Sequence, residues 1–534
     1  MRKGGLVEAR MTRSQHGLGL IIVLCWVSAC APARKAAVAP PGPPPVDWIA
    51  RIAEADALYA KGHYAALTAA RDVYEQALSV PEHRASVLER YLRTSLAIGL
   101  REKDLGILPA RPATELRDLV AAEPALSRYA PWLELLDGLP VKVKGNAGLE
   151  QAGGRTPDAQ LDWANARSAA LDGEMAGAAG DDLAASLRLA LRAAYFYYLR
   201  DKLDPALVME AHPGSRLVAF QAAVSPSLEI ERIEAILAGD PEFTEARYYV
   251  GEVALLGGKV LTAERNYLAV QEKIPASLSV LISLAKVAFQ VEELEGCLDW
   301  NEKALAILPV YRDALLGKGL CLGYLGKNEE ALSVLGRMLE LGTYYLGEGH
   351  YWSAWNMNEL ERYEEARKEI EAAKVFLVNY SDVEALSGII AYRQGRLDAA
   401  ERDLRQALNL EPSNSDAAMY LGRLYADRKD WLNSGIYFAG AALSLEEKER
   451  EMEKKIEEIE ASDMSRERKN KLIIKKKVQI LSTQATKATC QYNGAAGYHN
   501  AGSFDRALDL ARLAAAHPSF AQKAAELIKL IQDR

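Results

Sequence analysis

Apolar residues recur every three or four positions along most of the chain, which is the spacing that places them on one face of an α-helix. The segment from Thr244 to Pro275 contains two such stripes on either side of Gly258: TEARYYVGEVALLGGKVLTAERNYLAVQEKIP. It therefore predicts two amphipathic helices joined by a tight turn. Ala and Leu recur throughout, and only 7% of the residues are aromatic. This mixture favours helix packing over β-structure, so the sequence predicts an all-α protein.

The helix pair repeats at a fixed period through the second half of the chain. Small residues at Gly251, Ala285 and Gly319 share one register, and the fourth unit is one residue longer. The later units carry Gly388, Gly395, Ala400, Ala407 and Pro412, then Gly422, Trp431, Phe438 and Ala441, and finally Ala495, Gly502, Phe504, Ala507 and Pro518. One pair cannot bury its apolar stripe alone, so seven units predict a stacked solenoid.

The unit resembles the tetratricopeptide repeat, which has small, turn, close-packing, aromatic and terminating positions. In the first unit these are Gly251, Gly258, Ala263, Tyr267 and Pro275. The resemblance implies a right-handed superhelix, an α-solenoid, that binds protein segments in a concave groove lined by the first helix of each unit.

Carried over by register, the predicted groove residues are Tyr248, Glu252, Lys286, Phe289, Tyr324, Tyr351, Trp355, Asn358, Tyr392, Arg393, Arg423, Tyr492 and His499. The segment GEGHYWSAWN, residues 347–356, is the most unusual sequence in the array. Its three large aromatic residues cannot all point into a core, so we expect a partner contact there.

The pattern divides the chain into six segments. They are a signal peptide (1–29), a tether (30–47), a divergent helical region (48–225), the array (226–445), a charged insert (446–485), and the last repeat with a capping helix (486–534). The divergent region begins with a degenerate repeat from Ala55 to Pro81. The Gly-rich segment 139–162 within it is predicted to be a loop.

The insert has no Pro or Gly and is acidic in its first half and basic in its second. We expect an antiparallel helical hairpin that projects from the solenoid as a second docking site, its arms paired by opposite charge. Its predicted seam consists of Ile456, Ile459, Leu472, Ile473 and Ile474. The alternative is a solvated charged linker.

The N-terminus has the pattern of a secretory signal, with Arg10 and Arg13 before the apolar run 18–27. Residues 27–30 (VSAC) resemble a bacterial lipobox, which implies that Cys30 is acylated and anchors the protein to a membrane. The following residue, Ala31, favours the periplasmic face of the outer membrane by the same resemblance. The Pro- and Ala-rich residues up to 47 form a tether. An ordinary signal peptide with an incidental Cys, or a signal anchor, remains an alternative.

Removing residues 1–29 takes away four basic residues and one acidic residue, so the net charge moves from −8 to −11. An acidic protein is a poor partner for nucleic acid. The remaining cysteines, Cys297, Cys321 and Cys490, are expected to be buried packing residues, with a bridge between Cys297 and Cys321 as the alternative. The seven histidines are scattered, and no phosphate-binding or dinucleotide motif is present. We therefore predict no catalytic residue, no metal and no cofactor.

These features favour a membrane-anchored scaffold for other envelope proteins, in pilus, secretion, outer-membrane or polysaccharide-export assembly. Two alternatives remain open: a regulatory adaptor of peptidoglycan enzymes, and an enzyme whose site lies in residues 83–225. A solute-binding lipoprotein is disfavoured because the chain lacks an α/β pattern. The sequence does not specify the oligomeric state.

Overall fold

The computed structural model describes residues 46–108, 113–139, 181–194, 204–224, 228–342, 345–462 and 464–533, and the regular structure within these ranges is entirely helical. The predicted all-α fold is confirmed. The predicted signal peptide, Cys30 and nearly all of the tether lie outside the described residues. So does almost all of the predicted loop 139–162. Within the described ranges, no helix is both long and apolar enough to cross a membrane.

Nine α-helices precede the regular array in the described part of the chain. They are α1 (Trp48–Lys61), α2 (Tyr64–Leu78), α3 (Pro81–Leu105), α4 (Ala113–Ala122), α5 (Ala130–Gly138), α6 (Asp182–Ala194), α7 (Pro205–Ala211), α8 (Arg216–Ala223) and α9 (Ile230–Gly239). Pro81 stands at the start of α3, where its missing N–H costs nothing, and Gly106 ends that helix in the left-handed conformation.

The array consists of consecutive antiparallel helix pairs. The first three are α10 (Thr244–Leu256) with α11 (Val260–Lys273), α12 (Leu278–Gln290) with α13 (Leu294–Ile307), and α14 (Arg312–Tyr324) with α15 (Asn328–Glu340). The next two are α16 (Leu346–Glu359) with α17 (Tyr363–Phe376), and α18 (Ser381–Arg393) with α19 (Leu397–Leu410). The last helices are α20 (Ser415–Asp427), α21 (Trp431–Ala461), α22 (Arg466–Asn500), α23 (Phe504–Ala515) and α24 (Ala521–Gln532).

A small residue in the first helix of a pair lets the second helix approach closely. A Cβ placed on Gly388 would come within 2.5 Å of the Leu404 side chain, and one on Gly422 within 2.8 Å of Phe438. In both pairs the contacting side chain lies sixteen residues further along. The same relation holds for Gly251 with Tyr267 and for Gly319 with Leu335. The periodic small residues of the sequence are therefore packing positions.

The insert forms a helical hairpin, as predicted, because α21 and α22 extend far beyond the length of the other array helices. Helix α21 ends at Ala461 and α22 begins at Arg466, so the turn lies at the predicted ASDMS segment. The prediction for the seam is wrong at one position, since Ile474 is 62% exposed. The predicted projection into solvent is also wrong, because α22 contacts the first two pairs of the array.

The expectation that Cys297 and Cys321 are unbonded packing residues is also wrong. The two residues form a disulfide between α13 and α14, across a sequence separation of 24. Both are buried, as is the free Cys490. The bond joins the second helix of the second pair to the first helix of the third pair, so it fixes their stacking.

Candidate partner-binding groove

Five aromatic side chains form a continuous ladder on the first helices of the second, third and fourth pairs. This aromatic ladder consists of Phe289, Tyr324, Tyr351, Trp352 and Trp355. The ring centroid of Tyr324 lies 5.3 Å from that of Phe289 and 5.7 Å from that of Trp355. Trp352 lies 5.1 Å from Tyr351 and 5.5 Å from Tyr324. Four predicted groove positions, two of them in the GEGHYWSAWN segment, are thus brought together by ring contacts.

The ladder is accessible and uncharged. Tyr324 is 50% exposed, and Phe289, Tyr351 and Trp355 are each partly exposed. Partial burial raises the pKa of Tyr324 and that of Tyr351 above the usual value for a phenol. Both phenols therefore remain neutral at physiological pH. An accessible row of neutral rings can bury apolar side chains of a partner and can donate phenolic hydrogen bonds.

A cleft of about 520 Å³ adjoins the ladder at Phe289. Its walls are largely apolar, and the predicted groove residue Lys286 lines it together with Asp313. Tyr345 donates a 2.8 Å hydrogen bond to Asp313 Oδ1, and burial raises the pKa of this carboxyl group. The disulfide residue Cys297 also lines the cleft. An apolar cleft with few polar groups is the usual form of a site that receives a large side chain.

The C-terminal end of the groove is more polar. Tyr392 and Arg423 line a concavity of about 290 Å³ together with Asn493 and Asn500. The Tyr392 hydroxyl donates a 2.7 Å hydrogen bond to Asp427, and burial together with this hydrogen bond raises the pKa of Tyr392 to about 12. The Arg423 guanidinium lies 5.0 Å from the centre of the Tyr420 ring. This end offers amide and guanidinium donors, which suit a peptide backbone or a carboxylate.

Four predicted groove residues are buried and have structural roles. Tyr248 is 5% exposed, and Glu252 accepts hydrogen bonds of 2.6 Å from the Tyr267 hydroxyl and 3.1 Å from the Ser283 hydroxyl. Asn358 is buried, and its side-chain and backbone oxygens accept hydrogen bonds from Arg393. Tyr248, Glu252 and Asn358 are therefore not accessible to a partner, and the prediction that they line the groove is wrong.

The same correction applies to His499, which is 8% exposed and packs against Phe504. The predicted residue Tyr492 is partly exposed, and its ring lies 5.4 Å from that of Phe520. Arg393 is exposed, although it also holds Asn358 and the Tyr420 hydroxyl. Neither Tyr492 nor Arg393 contacts the aromatic ladder by any of these interactions.

The hairpin reaches back to the start of the array through a set of contacts that we call the clasp. The Arg468 guanidinium donates to both oxygens of Glu264, at 2.6 and 2.8 Å, and to both oxygens of Glu293, at 3.0 and 2.7 Å. These hydrogen bonds raise the pKa of Arg468 above its usual value. Bidentate pairing of this kind has both strength and directional specificity. The tip of the hairpin is therefore held on α11 and on the start of α13.

Glu292, in the turn between α12 and α13, is the second half of the clasp. Lys476 and Gln479 donate to its carboxylate, and Lys475 donates to its carbonyl oxygen. Glu292 has a φ of 61°, a left-handed conformation that glycine occupies at the equivalent position of the first pair, Gly258. A residue with a Cβ is strained there by about 1–2 kcal/mol. The clasp therefore engages a turn that lacks the usual glycine.

Sequence reasoning missed the clasp, although one signal was present. The second arm of the insert carries more net positive charge than the first arm carries net negative charge, so pairing between the two arms leaves cations over. The surplus cations pair with carboxylates of the array instead. Within the described ranges, no cluster of His, Cys, Asp or Glu side chains could hold a metal ion.

The helix pairs share one geometry at a constant spacing. Their second helices begin at Val260, Leu294, Asn328, Tyr363, Leu397 and Trp431, so the period is constant apart from one unit that is one residue longer. The array has the helix-pair geometry and the repeat period of a tetratricopeptide-repeat solenoid. Concave faces of such solenoids are extended binding surfaces for other proteins. The aromatic ladder lies on the first helices of the repeats, the helices that line this face in the repeat class.

The array is similar to several solved tetratricopeptide-repeat structures. A repeat protein from Parabacteroides merdae is 16% identical over 54% of this chain and 98% of its own, with a TM-score of 0.34. PilF of Pseudomonas aeruginosa is 19% identical over 38% of this chain and 91% of its own, with a TM-score of 0.34. YrrB, described as having an unusual peptide-binding site, is 21% identical over 33% of this chain and 91% of its own, with a TM-score of 0.28. No protein-family model and no curated protein sequence matches the chain.

Proposed function

We propose that this protein is a non-enzymatic scaffold that holds a segment of another envelope protein in the groove of its repeat array. The observation that carries the proposal is the aromatic ladder, an accessible row of contacting rings beside an apolar cleft. Contiguous accessible apolar patches on soluble proteins often mark binding sites. Large aromatic side chains are also the residues that contribute most to binding energy at protein interfaces.

The two ends of the groove suit different parts of one bound segment. Apolar side chains of the partner would contact the ladder and enter the cleft, where Lys286 and Asp313 would orient a polar group. The following residues would reach the donors of Arg423, Asn493 and Asn500. Apolar contacts supply the affinity in such an arrangement, and the polar end sets direction and register.

We further propose that Cys30 carries the lipid that anchors the protein to the periplasmic face of the outer membrane. The lipobox-like residues 27–30 and the Pro-rich tether motivate this assignment. The Cys297–Cys321 disulfide supports an extracytoplasmic location, because disulfides persist in the bacterial periplasm and are rare in the cytosol. The candidate assemblies for such a scaffold are those of pilus, secretion, outer-membrane and polysaccharide-export systems.

Affinity purification from the native membranes tests the groove. The test variant is Tyr324→Ala/Trp355→Ala. The matched control is Phe376→Ala/Tyr380→Ala, which removes two rings that are 51% and 58% exposed and lie outside the ladder. We expect the ladder variant to lose the envelope proteins that the wild type enriches, with affinity reduced about 30-fold or more, and the control to retain them. Equal retention by both variants would refute the groove as the binding site.

Metabolic labelling with a fatty acid tests the anchor. The wild type should be labelled and should fractionate with the outer membrane, whereas Cys30→Ser should be unlabelled and should leave the membrane fraction. A labelled Cys30→Ser protein would place the lipid elsewhere. An unlabelled wild type would disprove the lipoprotein assignment without affecting the groove.

A further inference from the structure

Helix α22 carries an exposed apolar stripe within the hairpin. Ile474, Val478 and Leu481 are 62%, 59% and 63% exposed, and their spacing of four and then three residues places them on one face of the helix. We call these three residues the hairpin stripe. Single exposed apolar residues are common on protein surfaces, but three in helical register form a continuous strip.

The other faces of α22 are already occupied. Leu472, Lys476 and Ile480 are all buried, and they lie on the opposite face from the stripe. Arg468, Lys475 and Lys476 point to the carboxylates and carbonyl of the clasp. The stripe therefore lies on a face of α22 that neither these buried side chains nor the clasp residues occupy.

Exposed cations border the stripe. Lys471 lies one turn before it, and Lys477 stands immediately before Val478, with both side chains open to solvent. The first arm of the hairpin is net acidic, because its exposed glutamates, among them Glu453, Glu457 and Glu458, outnumber its exposed lysines and arginine. A partner that covers the stripe therefore lies next to these two lysines. Its own flanking groups must be negative for the charges to be complementary.

We propose that the hairpin stripe docks an amphipathic helix of a partner protein whose apolar side chains are flanked by carboxylates. The four-and-three spacing of the stripe is the spacing at which two packed helices interlock their side chains. The clasp shows the same chemistry on the neighbouring face, where the basic side chains of α22 bind carboxylates of the array.

Two other occupants fit the surface less well. An anionic membrane would be attracted by Lys471 and Lys477 but repelled by the exposed carboxylates of the adjacent arm. A second copy related by two-fold symmetry would bring the same lysine-flanked stripe against itself, so like charges would face each other. A carboxylate-flanked helix is only about 10–12 Å wide, so unlike an extended membrane it can lie along α22 without covering the acidic first arm. This docking site is independent of the aromatic ladder.

Binding of designed helical peptides to the full-length protein in detergent tests the proposal. Two peptides share one Leu/Ile stripe, which is flanked by Glu in the first and by Lys in the second. We expect the Glu-flanked peptide to bind about ten-fold or more tightly than the Lys-flanked peptide, and its binding to weaken with salt. Ile474→Ser/Val478→Ser/Leu481→Ser should reduce its affinity at least about ten-fold.

Charge reversal provides a second variant that keeps the stripe intact. Lys471→Glu/Lys477→Glu should reverse the preference between the two peptides. The matched control, Lys454→Glu/Lys455→Glu, changes two exposed lysines on the first arm and should leave the preference unchanged. The ladder variant Tyr324→Ala/Trp355→Ala should also bind both peptides as the wild type does, which separates this site from the groove.

Several outcomes would overturn the proposal. Equal affinity for the two peptides would remove the charge argument, and undiminished binding by the triple Ser variant would place the site elsewhere. Stripe-dependent binding to phosphatidylglycerol vesicles would identify a lipid surface instead. A stripe-dependent dimer in analytical ultracentrifugation would identify a second copy. Thermal melting checks the fold of each variant, and the three stripe side chains are exposed enough that we expect no change.

Discussion

Helix α10 of the first repeat and helix α16 of the fourth occupy equivalent positions, yet of the two only α16 presents aromatic groove residues to solvent. In α10, Glu245, Tyr248, Tyr249 and Glu252 are all buried. In α16, Tyr351, Trp352 and Trp355 remain partly exposed. The same register therefore serves as core in one repeat and as accessible surface in another.

The N-terminal helices account for part of the difference. Phe220 of α8 lies 5.7 Å from Tyr249, and Tyr64 at the start of α2 donates its backbone N–H to Glu245. The hydroxyl of Ser277, just before α12, donates a 2.6 Å hydrogen bond to the carbonyl of Leu105, at the end of α3. The divergent region thus covers the first repeat and merges its core with that of the array.

The open repeats are braced in other ways. The Cys297–Cys321 disulfide joins the second repeat to the third, and the clasp holds the turn of the second repeat at Glu292. Neither link covers the ladder. A repeat can thus be stabilised by burial of its groove face or by cross-links that leave this face free for a partner.

The largest expected difference in stability is between a variant that loses a buried tyrosine of the first repeat and one that loses an exposed tyrosine of the aromatic ladder. Tyr248→Ala should lower the free energy of unfolding by about 3–5 kcal/mol, because it leaves a cavity among buried side chains. Tyr324→Ala should cost less than about 1 kcal/mol, since its ring is 50% exposed. Denaturant titration followed by circular dichroism measures both. Similar losses for the two variants would break the distinction between core and groove positions.

Removal of the disulfide should have the next largest effect. For a loop of this length, Cys297→Ala/Cys321→Ala is expected to reduce stability by about 3 kcal/mol in the chain-entropy account. Thermal unfolding with and without a reductant measures the loss. The reductant should shift the wild type and have no effect on the double variant. A wild type that melts at the same temperature whether the bond is oxidised or reduced would contradict the role of the bond as a brace.

One matched pair of substitutions separates the contribution of the clasp to stability from the contribution of backbone strain. Glu292 and Glu361 have nearly the same left-handed φ, 61° and 60°, in equivalent turns, but Glu292 is the one that binds the hairpin. Glu361→Gly should raise stability by about 0.5–1 kcal/mol by relieving strain. Glu292→Gly should show no such gain, because it also removes the carboxylate that Lys476 and Gln479 bind in the clasp.

Hydrogen exchange is the readout that follows the hairpin itself. The backbone amides of residues 466–480 should exchange faster in Glu292→Gly than in Glu361→Gly. Rising salt should reduce this difference in exchange rate, because the clasp is ionic. Equal gains in stability and equal protection in the two variants would show that the Glu292 half of the clasp contributes nothing.

The smallest expected effect concerns the pH dependence of the cleft. Burial raises the pKa of Asp313, so the folded state favours the protonated carboxyl and the group destabilises the fold once pH rises above its unfolded value near 3.8. Asp313→Asn should remove this penalty and raise stability at neutral pH by on the order of 1 kcal/mol, with no gain below pH ~3. Denaturant titrations across this range measure it. A gain that persists at low pH would point to another cause.

Much of the fold can be predicted from the sequence. The repeat period identifies the helix pairs, and it marks Gly388 and Gly422 as positions of close packing, which their contacts confirm. The insert is predictable as a hairpin because it contains no Pro or Gly and its only turn signal lies near its middle. These features are local, since helix periodicity, turns and nearest-neighbour packing depend on residues that are close in sequence.

The candidate site is predictable only in part. The aromatic segment 347–356 is correctly expected to include surface residues, and Phe289 and Tyr324 fall in the same groove by register. Burial of Glu252 is not predictable, because it depends on Ser283 of the next repeat and on packing around α10. The clasp joins residues up to 204 positions apart, and nothing local indicates which carboxylate Arg468 will bind.

By itself, then, the sequence determined the helices, their pairing and the division of charge between the two arms of the insert, because these follow from short-range spacing of apolar, small and charged residues. Only the tertiary structure decided which groove positions stay open, where the hairpin rests and that Cys297 meets Cys321. The physical reason is that a solenoid fixes each repeat against its neighbours, whereas contacts across many repeats depend on the accumulated curvature of the whole array.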